Sequence, residues 1–103
     1  MKRVIDISEV LGMVTTPQGA RELCVTADAQ YEEDTAQLLV RTEAFLRNQD
    51  LVAPERHFGA AWLPKGESLR ESVGAEEAGD LAREIFQRWV RRVRQAAPAI
   101  HLT

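Results

Sequence analysis

The C-terminal quarter of the sequence contains the pattern that most restricts how this chain can fold. From residue 75 to residue 97, apolar side chains recur at intervals of three and four residues. This spacing places them on one face of an α-helix. Glu76 and Glu77 lie near its start and the arginines near its end, as the helix dipole favours. Pro98 cannot continue the helix. The sequence therefore predicts a long amphipathic C-terminal helix.

The polar side of this predicted helix is rich in arginine. At 100° per residue, Arg83, Arg88, Arg91, Arg92 and Arg94 spread over the whole polar half and do not form one stripe. A solvated surface explains that distribution, and a contact surface for an acidic protein is a second interpretation. Binding of phosphate groups is a third, because arginine binds them in a bidentate manner. The nucleic-acid candidates are Arg88, Arg91, Arg92 and Arg94.

Trp89 lies near the centre of the apolar half of the same helix. A tryptophan in that position is expected in the core or at an interface, where its large apolar surface is removed from water. We therefore predict that Trp89 is mostly buried and that it is not a platform for base stacking.

The N-terminal part favours strands joined by a turn. Residues 4–7 alternate apolar and polar side chains. In residues 16–19, Pro17 presets a turn and Gly19 tolerates its last position. Valine and threonine on both sides favour strands, so the pattern predicts a β-hairpin. The rival interpretation is a helix that starts at Pro17 with Thr16 as N-cap, although Gly19 in its first turn weakens it.

Residues 28–49 favour a central helix, because apolar side chains again recur at intervals of three and four. Its first turns would contain acidic residues 32–34, as the dipole prefers. Ala36, Val40 and Ala44 would form a second, narrow stripe on the opposite side. Small residues spaced by four let helices approach closely, so this stripe, and Val40 in particular, is a candidate seam of a homodimer.

The connector that follows cannot be one long helix, because proline and glycine interrupt it at Pro54, Gly59, Pro64 and Gly66. A short strand is expected within residues 57–63. Phe58 and Trp62 would either cap the core or face a ligand or partner, and we predict Trp62 at an interface or pocket rim. His57 lies beside them and is the one candidate for catalysis or ligand binding.

Composition limits the remaining function classes. The 103 residues are 45% hydrophobic and 28% charged, with a net charge of −3, which indicates one globular domain over residues 1–103. Residues 28–80 carry a charge of −7 and residues 81–103 a charge of +4. The single cysteine, Cys24, fits a reducing compartment. No uncharged stretch is long and apolar enough for a membrane span, and no metal or cofactor motif is present.

These patterns predict an α+β domain with an N-terminal β-hairpin or short sheet, a central helix and the long C-terminal helix packed over the sheet. An all-α bundle is the alternative. The expected function is a non-catalytic, homodimeric protein-interaction module in the cytoplasm, without cofactor, metal or membrane. A nucleic-acid-associated regulator that uses the arginine helix is the alternative, and a small enzyme or ligand-binding protein centred on His57 is the third.

Overall fold

The computed structural model describes residues 2–48 and 57–98 and shows an antiparallel sheet covered by one helix. The sheet is curled into a half-barrel. Strands β1, β2 and β3 follow one another in the sheet, and the short strands β4 and β5 both pair with β3. The elements are β1 (Lys2–Thr16), β2 (Gly19–Glu32), β3 (Gln37–Arg47), β4 (His57–Phe58), β5 (Ser68–Ser72) and α1 (Ala75–Ala96).

The predicted hairpin is present as β1 and β2, and it is longer than expected. Thr16 pairs with Gly19 across the turn. Gly19 has φ +114°, a backbone conformation that favours glycine. The Thr16 hydroxyl donates to the Gly19 carbonyl over 2.7 Å and accepts from the Gln18 N–H. A β-bulge between Val10 and Gly12 shifts the register of the hairpin by one residue.

The predicted central helix is wrong, because residues 28–49 contain the end of β2, a turn and β3. Residues 33–36, whose acidic side chains suggested a helix start, form the turn. On β3, Leu38, Val40 and Leu46 are buried at even positions and face the helix. Eleven register pairs with β2 stabilise this strand in place of a helix. The all-α alternative fails for the same reason.

The predicted C-terminal helix is confirmed as α1, which ends at Ala96, two residues before Pro98. Trp89 is 4% exposed, as predicted, and its indole N–H donates to the Glu43 carbonyl of β3 over 2.9 Å. The helix therefore joins the sheet through both packing and a hydrogen bond. Its buried face consists of Ala78, Ala82, Ile85, Phe86, Trp89, Val90 and Val93.

The sheet face that packs against α1, here called the inner face, carries the hydrophobic core. On β2 the odd-numbered side chains from Leu23 to Tyr31 are buried on this face. The even-numbered ones lie on the opposite, outer face. Alternation of this kind is expected for an antiparallel sheet with one covered face.

The connector forms less strand than expected in one place and more in another. The strand predicted within residues 57–63 is limited to the two residues of β4. Strand β5 was not predicted, and it follows a close approach in which a Cβ added at Gly66 would overlap the Thr42 carbonyl. After Pro98, the sequence of residues 99–102 is compatible with a last short strand, but these residues lie outside the described part of the chain.

Candidate binding site

A cleft of about 330 Å³ opens beside the β1–β2 turn. Leu46, which is 2% exposed, belongs to both the core and the cleft lining. Two aromatic residues, Phe58 and Trp62, line it, and both are partly buried. The described residues that line it are Thr15, Thr16, Pro17, Gln18, Arg21, Leu46, Phe58, Gly59, Ala60 and Trp62.

Short-range geometry brings the two aromatic residues to this cleft. Phe58 pairs with Leu46 across β3 and β4, and paired residues share a sheet face. The chain then turns back, and the Leu63 N–H donates to the Ala60 carbonyl over 3.1 Å. This turn places Trp62 beside the same cleft. Both aromatic residues therefore line one cleft, although the segment that contains them has almost no regular structure.

Arg21 provides a positive charge at the edge of the cleft. Its guanidinium carbon lies 5.2 Å from the centroid of the Phe58 ring, within the range of a cation–π contact. Two of its nitrogens donate to the carbonyls of Ala20 and Gln18, over 3.0 and 3.3 Å. Arg21 forms no ion pair with the residues that the structure describes. Its guanidinium therefore keeps donors for an external acceptor, since arginine has five N–H groups.

The other predicted site residues lie elsewhere. His57 is exposed on the outer face, where its ring stacks on Phe45 with centroids 3.8 Å apart. Val40 is completely buried between the layers, so it cannot contact a partner. The proposed seam of Ala36, Val40 and Ala44 therefore does not exist, because it required the helix that β3 replaces.

The four arginines considered for nucleic acid are all exposed on α1. Arg92 forms an ion pair with Glu67 and lies 5.8 Å from the Trp89 ring. Arg88 and Arg92 line a smaller cleft of about 180 Å³ between α1 and the sheet. Arg91 and Arg94 make no ion pair with the described residues. Trp89 is only 4% exposed and its ring already lies beneath the Arg92 guanidinium, so it offers little surface for stacking by a base.

Two carboxyl groups that the sequence did not single out face each other on the outer face. Asp6 of β1 is the register partner of Asp28 of β2, which in turn pairs with Arg41 of β3. Burial, a hydrogen bond with Asp6 and the negative charge of Asp6 raise the pKa of Asp28, and Arg41 opposes the shift. The pair shares the chemistry of a carboxyl dyad, but it lies on an exposed sheet surface and outside the aromatic cleft.

Asp28→Asn should stabilise the fold at neutral pH, because like charges directly opposite on adjacent strands are destabilising; the expected size is that of cross-strand side-chain pairs, about 0.2–1 kcal/mol. The asparagine amide can donate to Asp6 as a protonated Asp28 does. Because the pKa of Asp28 is raised in the folded state, wild-type Asp28 favours folding most below the unfolded pKa of about 3.9, where it is protonated. This contribution is lost as the pH rises through the folded pKa. The gain should therefore vanish in acid. Urea unfolding across this pH range measures it.

Asp80→Asn is the matched control, because Asp80 is an exposed helix carboxylate paired only weakly with Arg83 at 3.7 Å. Asp80→Asn should bring no comparable stabilisation at neutral pH. A neutral-pH destabilisation by Asp28→Asn would mean that Arg41, and not Asp6, dominates the environment of Asp28.

Arg21 and the Asp6–Asp28 pair were missed because they depend on long-range pairing. The turn at residues 16–19 alone would place Asp6 opposite Ala29, and only the bulge near Gly12 brings it to Asp28. No residue pattern in β1 marks that bulge except Gly12 itself. Arg21 could have been noted as a cation two residues beyond the turn, although its proximity to Phe58 requires β4.

Two further features bear on the chemistry of the described residues. In residues 2–48 and 57–98, no three His, Cys, Asp or Glu side chains gather closely enough to hold a metal ion. The described part of the chain contains no helix with the length and apolar character needed to cross a membrane.

No protein-family model, curated protein or solved structure matches this chain.

Proposed function

We propose that the chain is a small, non-catalytic protein-interaction module that binds a segment of a partner protein in the aromatic cleft. The observation that carries this proposal is the combination of two aromatic side chains with Arg21, a cation that has no carboxylate partner among the described residues. The expected partner segment has an apolar side chain next to a carboxylate. A homodimeric state and a cytoplasmic location belong to the same proposal.

The lining of the cleft supports binding and not catalysis. Among the residues that the structure describes, this lining includes no histidine, cysteine, aspartate or glutamate, the side chains that most often act as nucleophile or general base. The Thr16 hydroxyl is engaged in the turn. A volume of about 330 Å³ is at the lower end for ligand sites and fits one or two side chains of a peptide.

The charge of Arg21 adds selectivity to a cleft whose other described lining side chains are uncharged. A carboxylate that reaches the guanidinium gains a charge-assisted hydrogen bond in a partly buried environment. Hydrogen bonds to charged groups contribute about 1.5–3 kcal/mol. Removing the cation should therefore weaken binding of an acidic ligand by roughly tenfold to a hundredfold, while an uncharged apolar ligand should lose little.

The first test uses anilinonaphthalene sulfonate, a fluorescent probe with aromatic rings and one negative charge. It should bind the wild-type protein, and Arg21→Gln or Phe58→Leu should weaken its binding at least about tenfold. Arg83→Gln, which removes an exposed helix cation, is the control. Circular dichroism should show that each variant remains folded, so that lost binding reports the cleft.

A second measurement identifies the ligand chemistry. The chain has two tryptophans, so in a Trp89→Phe background all tryptophan fluorescence comes from Trp62. Terminally blocked tripeptides that place leucine beside glutamate should change this fluorescence and displace the probe. Peptides with lysine in place of glutamate should bind more weakly. Equal binding of both peptides, or unchanged binding in Arg21→Gln, would contradict the proposed role of the cation.

The nucleic-acid alternative is an outcome of a parallel titration with random duplex DNA. Binding whose logarithm falls steeply with the logarithm of salt concentration would favour it. Such binding should then be lost in an Arg91→Gln, Arg94→Gln double variant and retained in Arg21→Gln. The interaction module predicts the reverse dependence: ligand binding should be lost in Arg21→Gln and retained in the Arg91→Gln, Arg94→Gln double variant.

A further inference from the structure

Strand β1 leaves one long edge of the sheet available for pairing. It is 15 residues long and stands at the end of the strand order. Within residues 2–48 and 57–98, β1 pairs only with β2, so the backbone groups on its other edge have no strand partner there. Such an edge is a template for another strand, and strand addition is a common mode of protein recognition.

The large apolar side chains that remain exposed in the described structure are both on this strand. Val4 is 60% exposed and Val10 is 39% exposed. Both lie on the outer face, because they pair with Gln30 and Cys24, two even-numbered residues of β2. They are also equally far along the chain from Ile7, three residues on either side.

We propose that this edge pairs with the same edge of a second copy, antiparallel, about a two-fold axis at Ile7. Each Val4 then lies opposite Val10 of the second copy. This pair occurs twice in the dimer, so all four exposed valines are covered. A two-fold interface presents the same surface from each subunit, which requires such self-complementarity. The resulting ladder extends over residues 4–10 and joins the two sheets into one.

Two polar contacts favour this register, whereas the two Asp6 carboxylates, which become diagonal neighbours on the outer face, oppose it. Asp6 lies opposite Ser8 of the second copy, whose hydroxyl can donate to the carboxylate. Arg3 and Glu9 of opposite copies become diagonal neighbours on the inner face, at a separation that long side chains can span. Arg3 is 48% exposed, with Glu33 3.7 Å away as its present ion-pair partner, so it remains accessible.

The registers with the axis moved toward the N-terminus are less favourable. The helices of both copies lie on the same side of the joined sheet only if residues opposite each other share a sheet face. The two-fold axis must therefore pass through a residue of β1, and not between two residues. An axis at Asp6 would place the two Asp6 carboxylates opposite each other. An axis at Ile5 would place Val4 opposite Asp6. Like charges or a charge against an exposed valine destabilise both arrangements.

The β-bulge limits the length of the new ladder. Between Val10 and Gly12 the register of β1 shifts by one residue, and bulges bend a strand and disrupt regular pairing. In each copy the paired segment therefore runs from Val4 to Val10 and ends just before the bulge. This limit coincides with the two exposed valines, so the pairable edge and the apolar positions span the same seven residues.

This homodimer belongs to the proposed interaction module, but its seam shares no residue with the aromatic cleft. Either can therefore fail without the other. Val4→Lys should leave binding of anilinonaphthalene sulfonate unchanged, whereas Arg21→Gln should leave the dimer intact. The two measurements distinguish a wrong seam from a wrong binding site.

The seam is tested by charge substitution and rescue, measured by sedimentation equilibrium of the full chain. Val4→Lys alone and Val10→Glu alone should each raise the dimer dissociation constant by about tenfold or more. The double variant Val4→Lys, Val10→Glu should return to near wild-type affinity, because each lysine then lies opposite a glutamate of the second copy. Ser72→Lys, an exposed substitution on β5, should have no effect.

The register makes the rescue specific. With an axis at Asp6, Val10 would face Lys2, so Val10→Glu alone would tighten the dimer. A species of only 11.6 kDa at high protein concentration would overturn the proposal. Single variants without effect, or a double variant that does not recover, would also overturn it. Recovery in the double variant together with an inert Ser72→Lys would establish the Ile7-centred pairing.

Discussion

Trp89→Ala should lower the free energy of unfolding by about 3–5 kcal/mol, the range for removing a buried large aromatic side chain. Trp89 is 4% exposed, and its indole N–H bonds the Glu43 carbonyl of β3. The substitution leaves a cavity between the layers and removes the donor for that carbonyl. Domains of this size have a total stability of about 5–15 kcal/mol, so the loss is a large share. Urea unfolding followed by circular dichroism measures it.

Two control variants separate packing from the hydrogen bond. Trp89→Phe retains most of the apolar volume but no N–H, and its smaller loss should reflect mainly the unpaired carbonyl, about 1–3 kcal/mol. Gln87→Ala, on the exposed side of α1, should change stability by less than about 0.5 kcal/mol. A Trp89→Ala protein that unfolds at the wild-type urea concentration would show that the helix face is assigned incorrectly.

The elements that the sequence predicted well are those with local signals. Helix α1 combines a long three-and-four spacing, charges sorted by the dipole and Pro98 just beyond its end. The β1–β2 turn combines Pro17 with Gly19, whose positive φ the turn uses. Each signal acts within a few residues, so no knowledge of the rest of the fold was needed.

Strand β3 shows where local patterns stop being sufficient. Its sequence satisfies the helical spacing through Leu38, Leu39 and Thr42, and it also satisfies alternation through Leu38, Val40 and Thr42. Periodicity cannot choose between the two when both fit. The choice is made by β2 on one side and by β4 and β5 on the other. These are contacts between distant parts of the chain.

The candidate site was predictable only in part for the same reason. Phe58 and Trp62 were singled out as aromatics in a stretch that cannot be a helix, and both line the cleft. His57 was chosen by its position beside them, but adjacent residues in a strand point to opposite faces. The structure accordingly places His57 against Phe45 on the outer face. Arg21 was missed because it lies beside Phe58 only when β4 pairs with β3.

Val40→Glu separates the helical interpretation of residues 28–49 from the observed strand. In the helical interpretation Val40 lies on a narrow outer stripe, and the substitution would weaken a dimer without affecting the monomer. In the structure Val40 is completely buried on β3, with Ala29 of β2 and Leu69 of β5 as register partners. A carboxylate introduced there is surrounded by apolar side chains.

We therefore expect Val40→Glu to destabilise the protein by more than about 4 kcal/mol and to abolish cooperative unfolding at neutral pH. A buried glutamate titrates with a raised pKa, so part of the lost stability should return as the pH falls. Leu39→Glu, a change of similar size at the adjacent outer-face position, should cost much less because water reaches that side chain. Circular dichroism and urea unfolding of both variants provide the comparison. A folded Val40→Glu monomer at neutral pH would contradict the placement of β3 beneath α1, because no solvent reaches Val40 in this sheet.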